Sequence, residues 1–270
     1  MRGRVLVVAG SDSGGGAGLQ ADIKTLTAFG AYAMNAVTAV TAQDTNGVHA
    51  IHAVPAAFVR RQIDCVLADI GADVVKTGML GDADVIEAVA AALDQCHPRI
   101  PLIVDPVMIA KGGASLLADD ALAHLKRRLL PLASLLTPNL PEAEALTGQK
   151  ITDEADMRAA AAALLTLGGP AILLKGGHLP GADVVDVLAT ADGISVFRAR
   201  RIESRHTHGT GCTLASAIAA GLAQGMALHD AVYRARDYVR QAIAAAPGVG
   251  HGHGPLNHAI VPPPLAGGGG

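Results

Sequence analysis

Short apolar runs alternate along this chain with stretches whose apolar residues recur every three or four positions. Val5 to Ala9 is an unbroken apolar run, as in a strand buried on both faces. Leu19, Ile23 and Leu26 follow at helical spacing, and Val37 to Thr41 is a second β-rich run. Val59, Ile63 and Val66 mark a helix whose first residue is Pro55, since a proline there gives up an N–H that has no helical partner. Asp73 to Thr77 reads as a strand, Ala83 to Leu93 as a helix and Leu102 to Asp105 as a strand. Leu122, Leu125 and Leu129 share one helix face, and Ser134 to Thr137 is a strand. Thr152 is placed to cap a helix carrying Met157, Ala161 and Leu164, which Gly168-Gly169-Pro170 ends. Ala171 to Lys175 is a strand. Val184 to Ala189 and Ile194 to Arg198 flank Asp192-Gly193 as a hairpin. Two helices close the pattern, one with Leu214, Ile218 and Leu222, the other with Val232, Ala235, Val239 and Ile243.

Repeated strand–helix alternation predicts an α/β fold with a mainly parallel sheet covered on both faces. A closed eight-fold barrel competes with an open sheet, and the late hairpin and paired final helices favour the open sheet. No internal linker or repeat divides the chain, so residues 1–260 are expected to form one domain. Residues 261–270, ending PPPLAGGGG, are low in complexity and expected to be disordered.

Composition narrows the function. The chain has 270 residues, half of them hydrophobic and 17% charged, enough for a large packed core. With 21 basic and 24 acidic side chains the formal net charge is −3, which lacks the positive field of a general nucleic-acid binder. No apolar stretch approaches the ~20 residues of a membrane span. Cys65, Cys96 and Cys212 are an odd number without a close pair, poor for a disulfide framework or a zinc site. A reduced, cytoplasmic protein is expected. Cys65 and Cys96 fall within helical patterns and read as buried core cysteines.

Four segments could carry chemistry. The Gly-rich turn Ala9 to Gly18 joins a strand to a helix, where glycines let a ligand approach the backbone, although its spacing is neither GxGxxG nor a P-loop. It could equally be a flexible turn. His208-Gly209-Thr210-Gly211-Cys212-Thr213 opens a helix, whose first N–H groups attract anions and whose dipole lowers the pKa of a thiol in the first turn. The plainer reading of Cys212 is a buried cysteine in a tight turn. Asp105, Asn139 and Glu142 follow strands, where oxygen ligands suit Mg²⁺ beside substrate phosphates. Asn139 and Glu142 could also simply cap a helix. Lys175-Gly176-Gly177-His178 ends another strand, where a lysine can pair with phosphate or be solvated. From these residues alone, a small-molecule phosphotransferase without a P-loop, another phosphate-binding metabolic enzyme and a nucleotide-sensing domain all fit.

Eight segments in one order resemble the hydroxymethylpyrimidine/phosphomethylpyrimidine kinase family of thiamine biosynthesis, within the ribokinase superfamily. They are Ala9 to Asp22, Val37 to Val48, Lys76 to Leu80, Val104 to Gly113, Thr137 to Gly148, Lys175 to His178, Thr207 to Cys212 and Gly254 to His258. The resemblance implies a ribokinase-like three-layer sandwich and ATP-dependent phosphorylation of 4-amino-5-hydroxymethyl-2-methylpyrimidine, then of its monophosphate. It implies that Gln43 and Asp22 bond the substrate and that Gly10, Met79 and Val107 line its pocket. Asp105, Asn139 and Glu142 would organise Mg²⁺, and Lys175 and Gly176 would lie on the nucleotide side. Gly209, Thr210, Gly211 and Cys212 would form the anion hole, with Cys212 as the base. A homodimer binding only small molecules is also implied. Three positions depart from the pattern: Cys212 replaces the superfamily's usual Asp, His206 a common Asn, and Asp44 another Asn. Pyridoxal kinase of the same branch is the nearest alternative, and a catalytically silent binding domain the other.

Overall fold

The computed structural model describes residues 1–108, 116, 120–167 and 171–264. The helix stop expected at Gly168-Gly169-Pro170, positions 109–113 of the Val104 to Gly113 segment and the last six residues of the tail lie outside them.

Among the described residues nine strands form one open sheet: β1 (Arg4–Asp12), β2 (Tyr32–Gln43), β3 (Val48–Ala53), β4 (Val74–Thr77), β5 (Leu102–Val104), β6 (Leu135–Leu136), β7 (Ala171–Lys175), β8 (Asp183–Thr190) and β9 (Gly193–Arg200). Their order is β3-β2-β1-β4-β5-β6-β7-β8-β9. The six strands from β2 to β7 pair in parallel, while β3, β8 and β9 join antiparallel at the edges. The helices are α1 (Gly18–Ala28), α2 (Ala56–Asp69), α3 (Ala83–Asp94), α4 (Ala121–His124), α5 (Leu140–Thr147), α6 (Glu154–Leu165), α7 (Thr210–Ala223) and α8 (Leu228–Ala244).

The apolar run of β1 explains the layering. Its alternate side chains serve opposite faces: Leu6 and Val8 pack with Val59, Ile63 and Ile86 of α2 and α3, whereas Val5 and Val7 pack with Leu26 and residues of α7 and α8. A central parallel strand has no solvent face, so its pattern is continuous rather than alternating. The α5 and α6 residues Ala143, Met157 and Leu164 extend the first layer. Among the described residues no helix is long and apolar enough to cross a membrane.

Five local readings need correction. Pro55 is the N-cap of α2, one position before its first residue. Asp153, not Thr152, caps α6: its side chain accepts the Asp156 N–H, while Thr152 donates from both its N–H and its hydroxyl to Asp156 Oδ2. The helix through Leu122 and Leu129 is only one α turn before it widens to a π turn over Leu125–Leu129 and tightens to a 3₁₀ turn at Leu130–Leu132. Pro131 lacks an N–H and its ring crowds the preceding turn, so a regular α-helix cannot continue through it. Ile23 is exposed, and α1 instead buries Asp22 between Leu19 and Leu26. Cys65 is exposed and Cys96 half-buried, so neither is a core cysteine.

Candidate active site

The carboxyl ends of the parallel strands open onto a cavity of about 450 Å³. Six strands deliver residues to its wall: Asp12 from β1, Gln43 from β2, Met79 after β4, Asp105 after β5, Asn139 after β6 and Lys175 from β7. Helix α7 closes the remaining side with Gly209 to Cys212. Ligands of open parallel sheets bind at this edge, because loops leave both faces there and the strand ends stay uncovered.

One end of the cavity is apolar. Gly10, Met79 and Val107 line it, with Gln43 at the rim. A Cβ on Gly10 would lie 2.4 Å from Met79 Cε, so the Met79 side chain keeps this position only beside a glycine. The Thr38 hydroxyl donates to the Met79 carbonyl at 2.6 Å and holds that turn in place.

Two residues quoted in the motifs but given no role organise this end. Asp12 accepts the N–H groups of Gly14, Gly16 and Ala17, and its Oδ2 lies 2.9 Å from His208 Nε2. Burial opposes the Asp12 charge, but His208 and the backbone donors hold its carboxyl below the usual carboxylate range. His208 Nε2 also lies 3.3 Å from the Gln43 carboxamide. The available signal was an acid ending the first strand and a histidine opening the second Gly-rich turn. At Gly209, φ is +85° and a Cβ would lie 1.8 Å from the Gly16 carbonyl oxygen, so the two turns pack backbone against backbone.

The other end is charged. Lys175 Nζ donates to Asp105 Oδ1 at 2.9 Å, and the Thr137 hydroxyl donates to the same oxygen at 3.0 Å. Burial disfavours the Asp105 charge, yet Lys175 and Lys76 keep it below the usual range. Asn139 and Glu142 form a reciprocal cap: Glu142 N–H donates to Asn139 Oδ1, and Asn139 N–H donates to Glu142 Oε2. Burial pushes the Glu142 carboxyl up to about 7, with Lys175 opposing and Asp105 reinforcing. The helix-cap reading of this pair therefore holds, and the cap also sets both residues on the cavity wall.

Two expected contacts fall elsewhere. Asp22 is fully buried and off the wall; it accepts from Lys76 Nζ at 3.0 and 3.1 Å and from Ser216 Oγ at 2.7 Å. Lys76 lines the cavity in its place. Gly176 is turned inward, its N–H donating to Asp186 Oδ1, and Gly177 and His178 face the cavity instead.

Gly209 is the N-cap of helix α7 and supplies no side-chain cap, so the helix's first turn offers backbone donors to the cavity. Cys212 lies in that turn, but its thiol is not acidified. Burial pushes it up to about 12, aided by Asp22 and Asp105 and opposed by Lys76. Desolvation outweighs the helix dipole there, reversing the expectation for a thiol at a helix start.

For a divalent cation the donors are oxygens. Among the described residues no three His, Cys, Asp or Glu converge as a cage. Asp105 Oδ2 and Glu142 Oε1 take no part in the bonds above, whereas the Asn139 side chain is engaged as a cap. One or two carboxylates with waters is a set that fits Mg²⁺ accompanying a phosphate.

Comparison with known proteins follows this geometry. The phosphomethylpyrimidine kinase family model matches residues 12–257. The chain is 56% identical over 259 residues to the thiamine biosynthesis bifunctional protein ThiED of Geobacter sulfurreducens, covering 96% of this chain but 53%, about half, of that protein. It is 50% identical over 254 residues to the hydroxymethylpyrimidine/phosphomethylpyrimidine kinase of Streptomyces coelicolor, covering 94% of this chain and 93% of that one. Among solved structures, the pyridoxal kinase of Staphylococcus aureus in complex with AMP-PCP and pyridoxal superposes with a TM-score of 0.88 at 31% identity, covering 96% of this chain and 94% of that one. The family model and relatives at half identity match over nearly the whole length, and the chain belongs to the phosphomethylpyrimidine kinase family.

Proposed function

We propose that the chain transfers the γ-phosphoryl group of ATP to the hydroxymethyl group of 4-amino-5-hydroxymethyl-2-methylpyrimidine, and then phosphorylates the resulting monophosphate. The observation that carries this reading is a single cavity with an apolar, amide-bearing end and a charged end, joined by an uncapped helix start. A flat ring fits against Met79 and Val107, where a polarizable thioether packs well on an aromatic face. The Gln43 carboxamide carries a donor beside an acceptor, the pattern that a ring nitrogen next to an exocyclic amine needs.

At the charged end Lys175 pairs with the nucleotide phosphates, and the N–H groups of Gly209 to Cys212 bind the phosphoryl group in flight. Phosphoryl transfer is accelerated mainly by such positioning and charge stabilisation. Asp105 and Glu142 would hold Mg²⁺ through their remaining oxygens and waters, with Asn139 fixing Glu142. When bound, the ion neutralises phosphate charge. The thiolate form of Cys212, disfavoured by burial and partly favoured by the neighbouring Lys76 charge, takes the proton of the attacking hydroxyl.

A pyridoxal kinase activity is the second reading, favoured by the likeness to the Staphylococcus aureus enzyme. The test is a coupled assay of ADP formation with Mg²⁺ and, in turn, the pyrimidine alcohol, its monophosphate and pyridoxal. Turnover of both pyrimidines is expected. Turnover of pyridoxal alone would transfer the assignment to the second reading, and no ADP with any of the three would sink both.

A further inference from the structure

The Gln43 carboxamide touches two groups. As placed, its nitrogen lies 3.3 Å from His208 Nε2 and its oxygen 3.2 Å from Thr41 Oγ1. Oxygen and nitrogen of a carboxamide are nearly equivalent in shape, so the identity of each atom follows from counting donors. His208 Nε2 lies 2.9 Å from Asp12 Oδ2, and Asp12 is a buried carboxylate. A bare nitrogen against a carboxylate oxygen at that distance is repulsive, so Nε2 carries a hydrogen. A protonated Nε2 cannot accept from an amide N–H; its one hydrogen, directed mainly at Asp12, is shared over the longer 3.3 Å limb with the atom facing it, which is then the Gln43 oxygen. On the other side, the single hydroxyl proton of Thr41 is engaged by the Ser11 carbonyl at 3.0 Å. Thr41 Oγ1 is then an acceptor, which suits the Gln43 nitrogen. Both neighbours demand the same orientation.

We infer that His208 is a positioning residue that, held by Asp12, fixes which way the Gln43 amide faces and so decides which ring edge the site accepts. With one lone pair of the oxygen given to His208 and one N–H given to Thr41, the amide keeps one acceptor and one N–H in a set order. For a ring seated in one pose, one order pairs with the 4-amino edge and the reverse with the 4-oxo edge, where ring N–H and carbonyl exchange the pattern; the proposed substrate assigns the fixed order to the amino edge. A free amide turns over to suit either. The inference rests on the proposed binding of the pyrimidine by Gln43.

The experiment compares kcat/KM for the 4-amino substrate and its 4-oxo analogue in wild type, His208→Leu and His208→Gln. Wild type is expected to prefer the amino compound by roughly 10²-fold or more, since a reversed edge leaves buried polar groups unpaired. In His208→Leu the preference should shrink at least about tenfold, with KM for ATP within about twofold of wild type because Gln43 does not face the nucleotide. His208→Gln, which keeps an N–H at similar reach, should restore the preference. An unchanged preference in soluble His208→Leu would overturn the positioning role. A second measurement needs no variant: in ¹⁵N NMR of the wild-type protein, His208 Nε2 must carry a proton, and a bare Nε2 would overturn the inference. Absence of any pyrimidine turnover in wild type would instead overturn the proposed function, and this inference with it.

Discussion

Cys212 rests as a thiol at neutral pH, because its surroundings push it up to about 12, and only its small thiolate fraction acts as the base. The thiolate fraction therefore grows about tenfold for each pH unit through pH 9. Rates limited by proton removal from the pyrimidine alcohol should rise with it. The second step uses a phosphate nucleophile with a pKa near ~6, already anionic at neutral pH, and should stay flat. Cys212→Ala should slow the first step by roughly 10²–10⁴-fold and the second much less. Single-turnover rates for the two substrates across pH decide this, and equal slowing of both steps would make Cys212 only part of the anion hole's shape. Glu142 gives a second prediction. Its folded carboxyl sits at about 7 against an ordinary 4.5. Below pH 4.5 folded and unfolded chains both hold the proton. As pH rises towards 7 the unfolded chain loses it first, so stability falls, by on the order of 3 kcal/mol once both are ionised. Glu142→Gln keeps the cap geometry without the proton. Urea denaturation at pH 4.5 and 7.5 should show the variant gaining on wild type at the higher pH, and a pH-independent difference would contradict the burial argument.

Among the elements, β8 and α8 are joined by a buried ion pair that also shapes the end of β7. Arg236 Nε donates to Asp186 Oδ2 at 2.7 Å, and the Gly176 N–H donates to Asp186 Oδ1 at 2.8 Å. One carboxylate thus ties a helix to the sheet and fixes the turn that follows Lys175. Gly176 has no freedom of its own, since a Cβ there would lie 1.9 Å from the Val185 carbonyl oxygen. Asp186→Ala should cost about 3–5 kcal/mol, because it leaves a buried guanidinium unpaired. It should also raise KM for ATP. Asp186→Asn, which retains an acceptor for the Gly176 N–H, should spare the ATP affinity more than the stability. Chemical denaturation and ATP kinetics on both variants test this, and a loss below about 1 kcal/mol for the alanine variant would show that the pair adds little.

The whole molecule is held together by one sheet with a hydrophobic cluster on each face. The cavity is bordered by strands common to both clusters and by α7 of one and α5 of the other. A ligand there contacts both layers, so it should stabilise them as a unit. A non-hydrolysable ATP analogue with Mg²⁺ at about 100 times its Kd should add about 2.7 kcal/mol. For a chain of this size that corresponds to a rise in Tm of about 5–10 °C. Calorimetry should show one transition displaced upward. Two transitions, only one of them moved by the analogue, would show that the layers unfold separately.

The strands β1, β4, β5 and β7 and the hairpin of β8 and β9 were legible in the sequence because burial on both faces, or a tight turn, leaves a local signature. So were the helices α1, α2, α3, α6, α7 and α8, through their apolar spacing. The Gly-rich turns and the residues after strands marked most of the cavity wall for the same reason: a strand end is a local event. Edge strand β3 was not legible, since five of its six residues are exposed and carry no alternation. Asp22 shows where local reading stops. Its place on α1 is periodic, but only the packing of β4 and α7 against that helix supplies Lys76 and Ser216 and turns it away from the cavity. Likewise Asp12 and His208 are 196 positions apart, and Gln43 and His208 165. Which side chains share a proton depends on strand order and on how two turns abut, and both arise from long-range packing that no local pattern encodes.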